Sequence, residues 1–340
     1  MKNSPKHVTQ VKNNNLLNIL EYIHRNKTAS KAEITKVLKL SAPTVSRNVN
    51  PLIGTLLKTS GKQKSELGRW PTLLEFNYGY ANIMGIQIDQ NFIRYGISDL
   101  SGSIKHFWVR EISTVNFENL KAHLTEEINS ITEDIAVVVF AISGYILKSG
   151  NIFASISDWY GIHVSKMVEI VRNKFPGAIV AFENDANLLA VRERFYTDNV
   201  KNIICIYWGR GIGAGFIFDG NLFVGEGMAG ELGQLLNIEE VSIEDRFNAA
   251  NQEYLVNEWI RLLINMSFLL NPEKFVLNGR FGITEEFILR EWKKQKKTTA
   301  SLTFSKGKER AIVEGALSSG VDMYLKTKTT GLKKSIKIWR

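Results

Sequence analysis

In Ser30-Lys31-Ala32-Glu33-Ile34-Thr35-Lys36-Val37-Leu38-Lys39-Leu40-Ser41-Ala42-Pro43-Thr44-Val45-Ser46-Arg47-Asn48, two helix starts follow one another closely. Ser30 and Glu33 have the spacing of a capping box, in which the hydroxyl and the carboxylate satisfy N–H groups that a helix start leaves without partners. The short helix that follows would turn Ile34, Val37 and Leu38 inward. After a tight turn through Lys39 and Leu40, Ser41 can cap the next helix. Pro43 is tolerated there because the first turn has N–H groups to spare. Val45, Val49, Leu52 and Ile53 make the apolar face of this helix, and Thr44, Ser46, Arg47 and Asn48 fall largely on the other side.

Upstream, Leu16, Leu17, Leu20 and Ile23 recur at helical spacing and predict an earlier helix that breaks between His24 and Thr28. Three helices in this order make a helix-turn-helix, whose last helix offers its first residues to base edges in the major groove. Ser41, Thr44, Ser46, Arg47 and Asn48 are then the DNA-facing set. Small hydroxyls allow close approach, and Arg47 has the reach for guanine or phosphate. Downstream, Leu56-Leu57, the basic stretch Lys58 to Ser65 and the extended run Pro71 to Phe76 predict two strands around a loop. That is a wing, with Lys58, Lys62, Lys64 and Arg69 near the phosphate backbone or minor groove. A three-helix protein-interaction module would show the same helices; the basic wing favours DNA.

Charge is distributed accordingly. Residues 1–75 hold 13 Lys+Arg against 4 Asp+Glu, a surplus of +9 that equals the net charge of the whole 340-residue chain. A basic segment on a balanced body suggests a nucleic-acid reader joined to a domain with another task. The tail from Met323 carries six basic residues and no acid, as a frayed helix end or a further phosphate contact. The polar, basic start has no apolar core of a secretory signal, and the longest apolar run, near Leu262 to Leu270, is broken by Asn265 and Ser267. That run is also short of the roughly 20 residues of a membrane span. A single cysteine, Cys205, excludes an internal disulfide, and five scattered histidines show no ligand spacing. These features predict a cytoplasmic protein with neither membrane partner nor metal.

From Ile83 onward the pattern becomes β-rich. Residues 83–88, 92–98 and 103–109 predict a three-strand meander, followed by a helix over 117–131 and a buried strand over 136–142. A helix (164–175), a strand (179–182) and a helix (186–195) come next. The order then restarts with strands at 202–208, 213–218 and 221–224, a long helix over 251–270, a strand at 275–277 and further helices. Two βββαβα halves imply two similar lobes with a cleft between them, where a ligand would bind.

Gly209-Arg210-Gly211-Ile212-Gly213-Ala214-Gly215, continuing through Asp219-Gly220 to Gly227-Met228-Ala229-Gly230-Glu231-Leu232-Gly233-Gln234, closely resembles the ROK family (repressor, open reading frame, kinase). Glu183-Asn184-Asp185-Ala186-Asn187 and Gly315-Ala316 agree, and Gly68-Arg69-Trp70-Pro71 after the wing resembles the link of the repressor branch. The resemblance covers nearly the whole chain. It implies an α/β fold: an N-terminal winged helix-turn-helix (residues 1–76) followed by an actin-like, ribonuclease-H-like domain with lobes over 81–198 and 199–340, a late helix of the second being able to pack back on the first. It also implies a sugar-responsive repressor or a sugar kinase.

Departures from the kinase pattern bear on that choice. Kinases of the family cradle ATP phosphate in an Asp-x-Gly-Gly-Thr turn, where glycines let backbone N–H groups approach the phosphate. Here the turn reads Asp89-Gln90-Asn91-Phe92. In the second phosphate loop Arg210 stands where the kinases carry threonine, and the glycine-rich adenosine motif reads Asn278-Gly279-Arg280. Asp185 aligns with the kinase general base, but a base without a phosphoryl donor has nothing to transfer. The family's zinc histidine is Gln234, with no cysteines after it and a shortened segment before the long helix. No metal or cofactor is expected.

The resemblance leaves a sugar pocket of Asn184, Asp185 and Glu231, with Gln234 beside it and Gly144 giving close backbone approach. Carboxylate and amide oxygens suit polyols because each accepts from a hydroxyl. Alternatively, Asn184 and Asp185 merely cap the helix after them, and the Gly209–Gly215 run is a tightly packed strand–turn–strand. The chain is therefore read as a non-enzymatic transcription regulator, a repressor that binds an operator in double-stranded DNA. A carbohydrate effector, a sugar or a sugar phosphate, occupies its interlobe cleft, and a homodimer matches the operator's two-fold symmetry. The alternatives are a ligand-blind regulator with a vestigial sugar site and an active sugar kinase.

Overall fold

A computed structural model describes residues 5–62, 72–89, 91–112, 117–146, 152–154, 164–197, 199–236, 240–249, 252–330 and 337–338. The amino-terminal unit comprises α1 (Pro5–Asn26), β1 (Thr28–Ser30), α2 (Lys31–Leu38), α3 (Ala42–Val49), β2 (Leu57–Lys62) and β3 (Thr72–Phe76). Both caps form. Ser30 Oγ accepts from the Glu33 N–H at 3.2 Å, the Glu33 carboxylate accepts from the Ser30 N–H at 3.5 Å, and Ser41 Oγ accepts from the Thr44 N–H at 3.3 Å. Strands β2 and β3 pair antiparallel. β1 joins the other edge of β3, a pairing that three residues of sequence do not announce.

Ile19, Leu20 and Ile23 of α1 pack with Ile34, Val45, Val49, Leu57 and Leu74 in the core of this unit. Two core expectations fail. Val37 and Ile53 are 50 % and 38 % exposed. α2 is only eight residues long and buries Ile34, with Leu38 packed against the core, so Val37 falls outside that narrow stripe. Ile53 lies beyond α3, where the chain has already turned extended.

The body follows with β4 (Asn82–Ile88), β5 (Phe92–Asp99), β6 (Ile104–Glu111), α4 (Phe117–Ser130), β7 (Ile135–Ile142), β8 (Gly144–Ile146), β9 (Ile152–Ala154), α5 (Val164–Lys174), β10 (Ile179–Asn184) and α6 (Asp185–Tyr196). Its second half holds β11 (Ile203–Trp208), β12 (Ile212–Phe218), β13 (Asn221–Phe223), α7 (Ile243–Ala249), α8 (Gln252–Leu270), β14 (Lys274–Gly279), α9 (Glu285–Lys293), β15 (Ser301–Phe304), α10 (Ala311–Thr330) and β16 (Lys337–Ile338). The sheets run β16-β10-β7-β4-β5-β6 and β13-β12-β11-β14-β15. Each has an antiparallel meander whose first strand pairs in parallel with the next one along, β4 with β7 and β11 with β14. The duplication expected from the element order is present. The hairpin β8–β9 and the four-residue strand β15 were not foreseen, β15 lying where only helices were expected.

α6 and α10 lie together between the sheets, α10 against β4, β7 and β5 and α6 against β11 and β12. Glycine permits the close approach: a Cβ at Gly315 would strike the Leu188 carbonyl oxygen, and one at Gly215 would strike that of Ala186. α10 also packs on α1, and Leu317, Val321 and Tyr324 share one apolar cluster with Ile19, Leu20 and Ile23. One helix thus joins the body to the amino-terminal unit. His24 sits at this junction, edge-on to Phe76 and Tyr78 and near Phe195.

Candidate nucleic-acid interface and interlobe cleft

On α3, Ser41 and Arg47 are exposed, while Thr44 and Ser46 are half-buried. Ser41 Oγ lies 2.8 Å from Thr44 Oγ1, and Arg47 Nε donates to the Pro43 carbonyl at 3.4 Å, close to its own helix. Asn48 departs from expectation. It is 6 % exposed, and its Nδ2 donates to the Thr44 carbonyl at 2.8 Å. Bonded back onto its helix, it leaves the outward set. Lys58 pairs with Glu75 at 3.0 Å across the base of the wing. Lys62 ends β2 toward the loop, and Lys64 and Arg69 lie outside the described residues.

Strands β4, β7 and β10 run parallel and end together at Ile88, Ile142 and Asn184, so their carboxyl ends open into the cleft where such folds bind ligands. Asn184 caps α6, its Oδ1 accepting from the Asn187 N–H at 3.0 Å, while its Nδ2 donates to the Gly144 carbonyl at 2.6 Å. The capping alternative therefore describes Asn184, and the same side chain fixes Gly144, whose φ of 141° favours glycine. Asp185 is 8 % exposed, and its Oδ1 accepts the Ala186 N–H at 2.8 Å. Burial pushes its carboxyl up to about 8, and the charges of Asp89 and Glu231 push the same way. Burial also raises Glu231, and Glu244 adds repulsion.

Glu244, on α7, was not foreseen. Burial raises its carboxyl, while an Ile212 backbone hydrogen bond and the Arg210 charge hold it down. It fills the space a side chain would take at Gly211 or Gly233, so the glycine motif makes room for a carboxylate from a distant helix. No local pattern in the sequence announces this. Gln234 is not gathered with these acids: its N–H donates to the Glu231 carbonyl at 3.1 Å, but its side chain is exposed at the end of a 3-10 turn. A zinc ion does not fit here. Among the described residues no three His, Cys, Asp or Glu side chains are placed to hold a metal ion together, and Cys205 is buried in β11 with its thiol raised well above its ordinary value by desolvation.

Beside these acids the cleft opens into a cavity of about 350 Å³, whose Asp89 and Arg210 act on the charges of Asp185 and Glu244. Asp89, Asn91, Phe92 and Arg94 line it from the first lobe, Tyr207 to Arg210 and Asn278 to Arg280 from the second, and Lys308, Glu309 and Ile312 from the start of α10. These include all three segments that resemble nucleotide-binding elements. Their side chains occupy it differently from a phosphate cradle. The Arg94 guanidinium lies 3.6 Å from the Phe92 ring centroid, and its Nη1 donates to Gln87 Oε1 at 3.3 Å. Tyr207, buried, accepts from Gln87 Nε2 at 3.3 Å, and its ring fills the space where Gly209 carries no side chain.

A family model for the ROK family matches residues 84–246, and one for winged helix-turn-helix DNA-binding domains matches residues 12–53. The chain joins a ROK family domain to a winged helix-turn-helix. It is 27 % identical over 289 residues to the xylose repressor of Staphylococcus xylosus, covering 81 % of this chain and 70 % of that protein. It is 30 % identical over 243 residues to the xylose repressor of Bacillus subtilis (strain 168), covering 67 % of this chain and 61 % of that protein's length. The crystal structure of a ROK family transcriptional regulator, a homologue of the E. coli MLC protein, superposes with a TM-score of 0.74 at 17 % identity, covering 94 % of this chain and 99 % of that one. At that identity the likeness is one of fold.

Proposed function

We propose that this chain is a transcription repressor of the cytoplasm, binding an operator in double-stranded DNA through α3 and the wing, and that it releases the operator in response to a sugar. The observation that carries the reading is α10, a single helix that starts at the cleft and packs on α1 of the reader. A ligand that favours one arrangement of the lobes changes the seat of that helix, and differential affinity for the two arrangements supplies the free energy. Exposed Arg47 and Ser41 face the operator, with half-buried Thr44 and Ser46 beside them and Lys62 at the end of β2.

In the sugar site, Asp185 carries a proton near neutrality and donates to a hydroxyl, while Glu231 and Glu244 accept, and Gly144 lets the ring approach the backbone. The relatives' names make xylose the first sugar to try. Phosphoryl transfer is not part of the proposal, because Asn91 and Phe92 stand where the kinase turn would be glycine. Exposed Phe268 and Leu269 at the end of α8, 69 % and 80 % accessible, support a homodimer matched to a two-fold operator.

Titration calorimetry with xylose and a panel of pentoses and hexoses, beside fluorescence anisotropy on operator DNA, tests this reading. Sugar heat that disappears in Asp185→Asn, with operator binding retained and weakening as salt rises, supports it. ATP-dependent phosphorylation of any of these sugars would overturn it. A second reading, a ligand-blind regulator, is favoured by the polar atoms of Asn184 being spent on α6 and Gly144. No heat from any sugar, with DNA binding intact, would establish that one.

A further inference from the structure

We propose that the cavity on the Arg94 side of the cleft binds a small phosphate ester, a second effector separate from any sugar at Asp185. Four cations from separate segments line it: Arg94 of β5, Arg210 between β11 and β12, Arg280 after β14 and Lys308 before α10. Arg94 Nε and Arg210 Nη1 are buried without a hydrogen-bond partner. An unmet donor on a buried charged group is costly, and the cost is relieved when an anion arrives.

Arginines elsewhere in the fold show what satisfaction looks like. Arg192 pairs with Glu193 and Glu314, each at 2.5 Å, and none of its nitrogens is left buried without a partner, whereas Arg246 pairs with Glu258 at 2.9 Å but keeps an unpartnered Nε. Among the described residues, no carboxylate pairs in this way with Arg94, Arg210, Arg280 or Lys308. Burial disfavours the charge on Arg94, Tyr207, Asp89 and Glu309 favour it, and the Arg280 charge disfavours it by a smaller amount.

The composition of the lining selects the ligand. Guanidinium forks match phosphate oxygens in bidentate geometry. Asp89, Glu285 and Glu309 also line the cavity, and these acceptors suit hydroxyl groups, so the occupant combines a phosphate with a polyol. The volume lies at the small end of ligand pockets. Arg280 stands in the element that resembles a glycine-rich adenosine motif, and Arg210 stands where the kinases carry threonine. Two of the residues that depart from the kinase pattern, Arg210 and Arg280, each add a guanidinium to the same space.

Titration calorimetry on the full chain tests this with glycerol 3-phosphate, ribose 5-phosphate and glucose 6-phosphate, each beside its phosphate-free counterpart, and with inorganic phosphate and ATP. At least one ester should bind more tightly than its counterpart, inorganic phosphate and ATP. Arg280→Ala and Arg210→Ala should each weaken it about tenfold or more. Arg280 is exposed, so its truncation spares the fold, and an unchanged melting temperature verifies this. Asp185→Asn should leave ester binding within twofold or so of the parent, which separates failure here from failure of the sugar site. Absence of binding by every ester, ester binding unchanged in both arginine variants, or ATP binding as tight as the best ester would each overturn the proposal.

Discussion

In one part of the interlobe cleft Asp185, Glu231 and Glu244 crowd carboxylates into partial burial; in the adjoining cavity Arg94 and Arg210 do the same with guanidinium groups. The two kinds of group answer burial differently. A carboxyl group takes up a proton and becomes a hydroxyl donor, as Asp185 does with its carboxyl pushed up to about 8. A guanidinium has no such exit, because its ordinary value lies far above any working pH. The acidic side is therefore self-consistent when empty, while the basic side keeps unmet donors until an anion supplies acceptors. Opposite responses to the same desolvation make the two sides fit for different ligands.

That contrast can be attacked from three directions. The largest effect belongs to Arg192, a satisfied arginine between α6 and α10. Arg192→Met strands the nearly buried Glu193 and half-buried Glu314, and should cost about 3–5 kcal/mol in denaturant unfolding. A midpoint close to the parent's would mean that burial of a guanidinium is cheap in this fold, and the contrast would collapse. Asp185→Asn comes next. The folded protein holds the Asp185 proton up to about pH 8, whereas the unfolded chain releases it near an ordinary aspartate value, about pH 4. Between those values the folded state binds the extra proton, so stability falls as pH rises. The asparagine variant lacks this slope and should gain a few kcal/mol at pH 8, with the gain fading toward pH 4. Parallel stability–pH curves for parent and variant would refute the shift. The smallest effect belongs to Arg210→Met. Half-exposed and without a hydrogen-bond partner at Nη1, Arg210 should contribute under about 1 kcal/mol to stability, read as melting temperature. A loss as large as that of Arg192→Met would show Arg210 to be structural.

Much of this molecule was legible in the chain itself. The caps at Ser30 and Ser41 are local chemistry, a hydroxyl three residues from the N–H it accepts, and they formed as read. The two lobes followed from element order, since a βββαβα pattern repeated in one chain folds into the same kind of sheet twice. Loss of the glycine turn at Asp89 was visible as letters, and those side chains do line the cleft.

What the sequence could not carry were contacts between distant segments. Asn48 belonged to the outward set by helical position, yet its side chain is buried and folds back on the Thr44 carbonyl. Gln234 adjoined Glu231 in sequence, while the turn between them leaves its side chain at the surface. Glu244 reached the glycine loop from α7, and the four cations met from segments more than two hundred residues apart. Periodicity and capping act over a few residues and are written in the local order of the chain. Burial and charge convergence depend on which segments pack together, and only the folded structure sets them.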